Sequence, residues 1–143
     1  MHLVPIPTTH AYLKATFPVW FPFLKQIAQR SPWSITDLID QIGKLEVQPV
    51  LVWDDNHVAR ALLGVRYIND PETGDLVGQL VWLTGKHREQ WQHLLSEVER
   101  YLRDMKCKKC QPNCRRGWVK FLERNGYEII AEKPGHVVME KVL

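Results

Sequence analysis

The chain has 143 residues, of which 45% are hydrophobic and 24% charged, with a formal net charge of +3. That is enough apolar material for one domain with a core that needs no staples, and no apolar stretch approaches the roughly 20 residues of a membrane helix. A charge of +3 is too small to imply a polyanionic partner by itself, and three cysteines, an odd number, argue against a secreted disulfide framework.

The N-terminus, "MHLVPIPTTH", lacks the basic start and long apolar core of a signal peptide, so the chain is expected to stay in the cell that makes it. "HLVPIP" reads as a short edge strand, because its two prolines cannot serve a central ladder. Thr8 and Thr9 offer caps for a helix over "HAYLKATF". Pro18 and Pro22 then predict a break near Phe17 and a restart into Phe23–Arg30 rather than one helix from 10 to 30. In "SPWSITDLIDQIGK", Ser34 is a cap with Asp37 in the first turn, and Ile35, Leu38, Ile39 and Ile42 form an apolar stripe.

From Pro49 the period becomes that of strands. "PVLVWD" and "HVARALLGVRYI" flank a turn at "DN" and predict a hairpin. "NDPETGD" is a second turn, and "LVGQLVWL" a third strand, apolar on both faces and therefore central. After Gly85 a helical period returns. Trp91, Leu94, Leu95, Val98, Leu102 and Met105 share one side, and Glu89, Glu97, Arg100 and Arg103 the other. "KCKKCQPN" is a strand of poor propensity. "CRRGWVKFLERNG" is a short helix closed by Asn125-Gly126. "YEIIAE" and "HVVMEKV" form a closing hairpin across "KPG". The order β-α-α-β-β-β-α-β-α-β-β predicts an α/β (α+β) fold in one domain, 1–143, with a mixed, mainly antiparallel sheet flanked by helices.

That order, with a buried strand feeding a long helix and "FLERNGY" ahead of the last hairpin, resembles the GNAT N-acetyltransferase superfamily. The resemblance implies a coenzyme A loop of pattern Q/R-x-x-G-x-G/A after the central strand, whose backbone N–H groups bind the pyrophosphate. On this chain the loop becomes Trp82-Leu83-Thr84-Gly85-Lys86-His87. Gly85 matches the first glycine. Trp82 stands where Gln or Arg is expected, and His87 where a small residue is expected. The later family motif, like "fYeklGF", matches at Phe121, Glu123, Gly126 and Tyr127. Leu122 occupies the place of its tyrosine, the general acid for the leaving thiolate, and cannot donate a proton.

A narrower likeness joins "WLTG" at 82–85, "RRGWVKFL" at 115–122 and "MEKVL" at 139–143 to small GNAT-like proteins of phages and prophages. It implies a protein of the host cytoplasm, incorporated in a virion or used in its assembly, that works through protein contacts and needs no cofactor. The alternative is an acetyl-CoA-dependent N-acetyltransferase acting on an amine. For that enzyme Leu83, Thr84, Gly85, Lys86, His87 and Arg88 are the candidate coenzyme-binding residues; the plain reading of the same stretch is a strand-to-helix joint with Thr84 as cap. Asp54, Asp55, Glu72 and Asp75 are candidate bases, yet all lie in turns, where acids serve turn chemistry. Tyr67 is a candidate acid.

Two further readings remain open. Cys107, Cys110 and Cys114 have half the spacing of a zinc site, but no second pair follows and strand alternation would point Cys107 and Cys110 to opposite faces, so no metal is expected. The basic run Lys106, Lys108, Lys109, Arg115, Arg116 and Lys120 offers phosphate contacts to nucleic acid or a plain solvated face. Among the six tryptophans, Trp82, Trp91 and Trp118 fit core positions. Trp20 and Trp33, beside prolines, are either exposed for a protein contact or packed over the sheet.

Overall fold

The computed structural model describes residues 1–85 and 91–143; Lys86, His87, Arg88, Glu89 and Gln90, and the side chain of Trp91, lie outside the described residues. Among the described residues, seven strands and four helices follow the predicted order: β1 His2–Pro5, α1 His10–Arg30, α2 Ile35–Gly43, β2 Gln48–Trp53, β3 Ala59–Asn69, β4 Leu76–Gly85, α3 Trp91–Asp104, β5 Lys109–Cys114, α4 Val119–Arg124, β6 Glu128–Lys133 and β7 His136–Val142. They form one sheet in the order β1-β2-β3-β4-β5-β7-β6, with β4 in the middle and β1 and β6 at the edges. All neighbours are antiparallel except β4 and β5.

Two hydrophobic layers sandwich this sheet. On one face α1 and α2 bring Trp20, Leu24, Ile27, Leu38 and Ile42 against Leu51, Leu62, Val81 and Trp82. On the other, α3 and α4 bring Leu94, Leu95, Val98, Leu102 and Leu122 against Val50, Leu63, Leu80, Val137 and Met139. Nothing on β5, β7 or β6 belongs to the first layer, so α1 and α2 cover only the β1–β4 half.

The predicted break in the first helix does not occur. α1 runs unbroken through Pro18 and Pro22. The two prolines stand four residues apart, so both fall on one face, and both are exposed. The carbonyls they leave without a donor, those of Lys14 and Pro18, therefore face water. A helix-interior proline costs about 3 kcal/mol, which burial of Trp20, Leu24 and Ile27 along the opposite face offsets. Trp20 is 3% exposed and donates its indole N–H to Thr16 at 3.0 Å, and Trp33 packs against the same layer, so neither is an exposed anchor. Thr9 is the N-cap of α1 by position, but its side chain makes no capping bond. Ser34 is the predicted cap, and with Asp37 it forms a capping box, accepting from the Asp37 N–H at 3.1 Å while Asp37 accepts from the Ser34 N–H at 2.9 Å. On the α2 stripe Leu38 and Ile42 are buried, whereas Ile39 is exposed.

β4 carries a bulge. Its register with β3 passes from Gly64 opposite Trp82 to Val65 opposite Leu80, leaving Val81 as the extra residue. A bulge of this kind turns two successive side chains to one side. Val81 and Trp82 accordingly both pack toward α1 and α2, and Leu80 and Leu83 both pack on the α3 side. Gly64 is what lets the Trp82 indole lie across β3, since a Cβ there would sit 2.4 Å from a ring carbon.

Candidate functional site: the cleft between β4 and β5

β4 has ten residues, but only Val77–Leu80 pair with β5, opposite Lys109–Pro112. Beyond Leu80 it keeps β3 as its neighbour while β5 departs. The physical cause is Pro112, which has no N–H for either ladder. Pairing with β4 ends there, and the β5–β7 pairing also skips Gln111 and Pro112 before resuming at Asn113. The two strands thus part toward Gly85, making a V between β4 and β5.

The V is filled. Leu80 and Leu83 from β4, Pro112 and Cys114 from β5, Leu95 and Val98 from α3, and Trp118, Phe121 and Leu122 after β5 line a residual cavity of about 20 Å³. That is room for about one water molecule, against the several hundred Å³ of an ordinary ligand pocket. Trp118 belongs to a short 3-10 turn, Arg116–Trp118, and packs edge-on against Phe121 with ring centroids 5.8 Å apart. Cys114 is 8% exposed, and burial pushes its thiol up to about 11. Among the described residues the lining offers no acid, no base and no hydroxyl.

The predicted loop residues separate. Leu83 lines the cleft. Thr84 is no helix cap: it lies in β4 opposite Leu62 and donates its hydroxyl to Gln26 of α1 at 2.9 Å. Gly85 ends β4 opposite Ala61, and Lys86, His87 and Arg88 lie outside the described residues. Trp82 points away from the cleft, its indole N–H donating to Gln41 of α2 at 3.1 Å.

The candidate bases hold turns. Asp54 accepts from the N–H groups of Asn56 and Val58 and from Arg60 Nε at 2.7 Å, and the Val58 bond leads in holding its carboxyl below the usual range. Asp55 pairs with His2 at 3.0 Å. Glu72 and Asp75 belong to the 70–75 turn, which Asp70 organises from the end of the sheet opposite Gly85. Tyr67 faces α3, its hydroxyl buried beside that of Tyr101; both lack a hydrogen-bond partner among the described residues. Burial drives the Tyr67 phenol far above its ordinary value, so it stays neutral.

The basic run is spread along β5 and its flanks. β5, about 20 Å long, separates Lys106 and Lys108 from Arg115, Arg116 and Lys120. Lys109 is held between Glu140 and Asp70, each at 3.0 Å, and Arg116 pairs with Glu132 at 3.3 Å. Cys107 precedes β5, so strand alternation does not govern it. All three cysteines are buried in the α3-side layer, contrary to the expected opposition of Cys107 and Cys110, and no metal-capable group of three or more residues occurs among the described residues.

A polar cluster missed in the sequence lies beneath α3. Glu99, 7% exposed, accepts from the Tyr127 hydroxyl at 2.8 Å and from Lys141 Nζ at 3.0 and 3.2 Å. The signal was present, because position 99 follows Leu95 by four and belongs to the apolar stripe of α3.

No family model and no curated protein sequence matches the chain. Solved structures do. GCN5 from Tetrahymena superposes with a TM-score of 0.69 at 9% identity, covering 99% of this chain and 96% of that one. An acetyltransferase of the GNAT family from Listeria monocytogenes gives 0.61 at 10% identity, over 94% and 91% of the two chains. The chain has the GNAT fold. The PaiA N-acetyltransferase from Thermoplasma acidophilum, solved with coenzyme A, gives 0.59 at 14% identity over the full length of both chains. At such identities the likeness is one of fold alone, and a fold does not fix a function.

Proposed function

We propose that this GNAT-fold chain has a coenzyme cleft packed shut and works by contact with other proteins rather than by acyl transfer. The observation that carries the reading is the apolar filling of the V by Leu83, Trp118, Phe121 and Leu122, with about 20 Å³ left. A coenzyme A arm does not fit that space, so no acyl-transfer step is assigned to these residues. Leu122 supports the same view, since it is buried in the cleft where the resemblance implies a proton donor. The likeness to phage and prophage GNAT-like proteins at "WLTG", "RRGWVKFL" and "MEKVL" supports a virion or its assembly, in the host cytoplasm, as the setting we propose for those contacts. One observation favours the alternative of an acetyl-CoA-dependent N-acetyltransferase: β4 and β5 do part beyond Leu80.

Thiol reactivity tests the closed cleft. Cys114 should be silent to a small thiol reagent in the native chain, with labelled sites located by mass spectrometry. Trp118→Ala, which takes one wall from the mouth, should make Cys114 react at least ten times faster while the chain remains folded. Wild-type Cys114 that reacts like an exposed thiol, and is protected by acetyl coenzyme A, would show the cleft open and occupied.

A further inference from the structure

We infer that the free edge of β6 is a self-recognition strand, which pairs antiparallel with β6 of a second copy of this chain and continues the sheet from seven to fourteen strands. Among the described residues β6 borders β7 alone, and each of its residues is exposed or half-buried, Ile129 and Ile130 being 41% and 49% exposed. Two exposed β-branched residues on an edge strand without proline are an unusual liability, because such an edge offers unpaired N–H and C=O groups to any extended chain.

The charge pattern selects the partner. β6 reads Glu128-Ile129-Ile130-Ala131-Glu132-Lys133, opening with an acid and closing with a base. An antiparallel copy in the register that sets 128 against 133 puts each Glu128 beside a Lys133 at both ends of the pair. Moving the register by one residue sets Glu128 against Glu132, or Lys133 against Ile129, and loses the match.

Facing side chains must also lie on the same face of the sheet, and in a regular strand residues five apart do not. The bulge in β6 supplies the missing residue. Its register with β7 skips Ile130, so Glu128 stands opposite Glu140 and Lys133 opposite His136, on the same face. Ile129 and Glu132, opposite the buried Met139 and Val137, share the other face. Bulges usually protect an edge; this one makes the self-register consistent.

Both end charges are unspent. Neither Glu128 nor Lys133 has an ion-pair partner among the described residues, and the Glu140 beside Glu128 is already engaged by Lys109. Glu132, which meets Ile129 of the second copy, is neutralised by Arg116 within its own chain. The inference rests on the strand edge and not on the cleft, so it stands or falls apart from the closed-cleft reading.

The test is sedimentation of the full chain in low salt at roughly 100 μM, where a contact of this kind is populated. Wild type should be a dimer. Glu128→Lys and Lys133→Glu should each weaken it roughly tenfold or more by placing like charges face to face twice. An equimolar mixture of the two variants should form a heterodimer, and the double exchange in one chain should restore the homodimer. Both positions are exposed, so the variants should melt like wild type. A monomeric wild type, single variants that dimerise as well as wild type, or a mixture that stays monomeric would each overturn the inference.

Discussion

Glu99→Ala should destabilise the fold by about 3 kcal/mol, at the lower end of the cost of breaking a buried ion pair from one side. The carboxylate is nearly enclosed under α3, and its removal leaves the Lys141 ammonium half-buried without a counter-charge and the Tyr127 hydroxyl without an acceptor. The lower end applies because the Lys141 side chain keeps 27% of its exposure and recovers some water. For a chain of this size the melting temperature should fall by roughly 6–12 °C. Glu99→Gln, which still accepts from Tyr127, should lose about half as much. Replacing the whole cluster, Glu99→Leu with Tyr127→Phe and Lys141→Met, should return most of the stability, because no polar group is then left stranded. Urea unfolding of the four proteins decides this, and a loss under about 1 kcal/mol for Glu99→Ala would mean that water reaches the pair.

Gly64→Ala should cost about 3 kcal/mol, the upper range for overpacking. A methyl there would lie 2.4, 2.5 and 2.8 Å from three carbons of the Trp82 indole, and a flat ring held at 3% exposure has no flexible end to yield. The ring is also tethered to Gln41. The strain therefore reaches the bulge at Val81, which aims Leu80 and Leu83 into the cleft. A compensating Trp82→Leu should recover part of the loss in Gly64→Ala, whereas in wild type the same change should destabilise by leaving a cavity. Additive losses in the double variant would contradict the stated contact. By comparison, Gly78→Ala would press on Leu102 methyl groups, which can rotate away, and should cost less.

The fold was legible because its elements follow local rules. The three hairpin turns, the Ser34 cap with Asp37 behind it and the doubly apolar "LVGQLVWL" each state their structure within a few residues, and the element order follows. α1 departs from the local rule because a proline's cost is local while its compensation, three buried residues on the far face of the same helix, is tertiary. The site was legible only in part. Leu122 stands where the resemblance implies a proton donor, and that much is read from the motif alone. The parting of β4 and β5 was also written in the sequence, at Pro112, but it reads as poor strand propensity until both neighbours of β5 are known. Which side of the sheet Trp82 and Trp118 face follows from a bulge and a 3-10 turn, and neither leaves a periodic signal. Glu99 is not legible as a cluster from the sequence, because its partners Tyr127 and Lys141 lie far along the chain.

The most direct measurement is a calorimetric titration of the wild-type chain with acetyl coenzyme A, paired with thermal unfolding in its presence. The closed cleft predicts no saturable heat and no rise in melting temperature at millimolar coenzyme, since a ligand that does not bind the native state cannot stabilise it. Micromolar binding that Gly85→Glu abolishes would contradict the account: the V would then open on demand, and the chain would be a coenzyme-binding GNAT whose acceptor amine is the next thing to find.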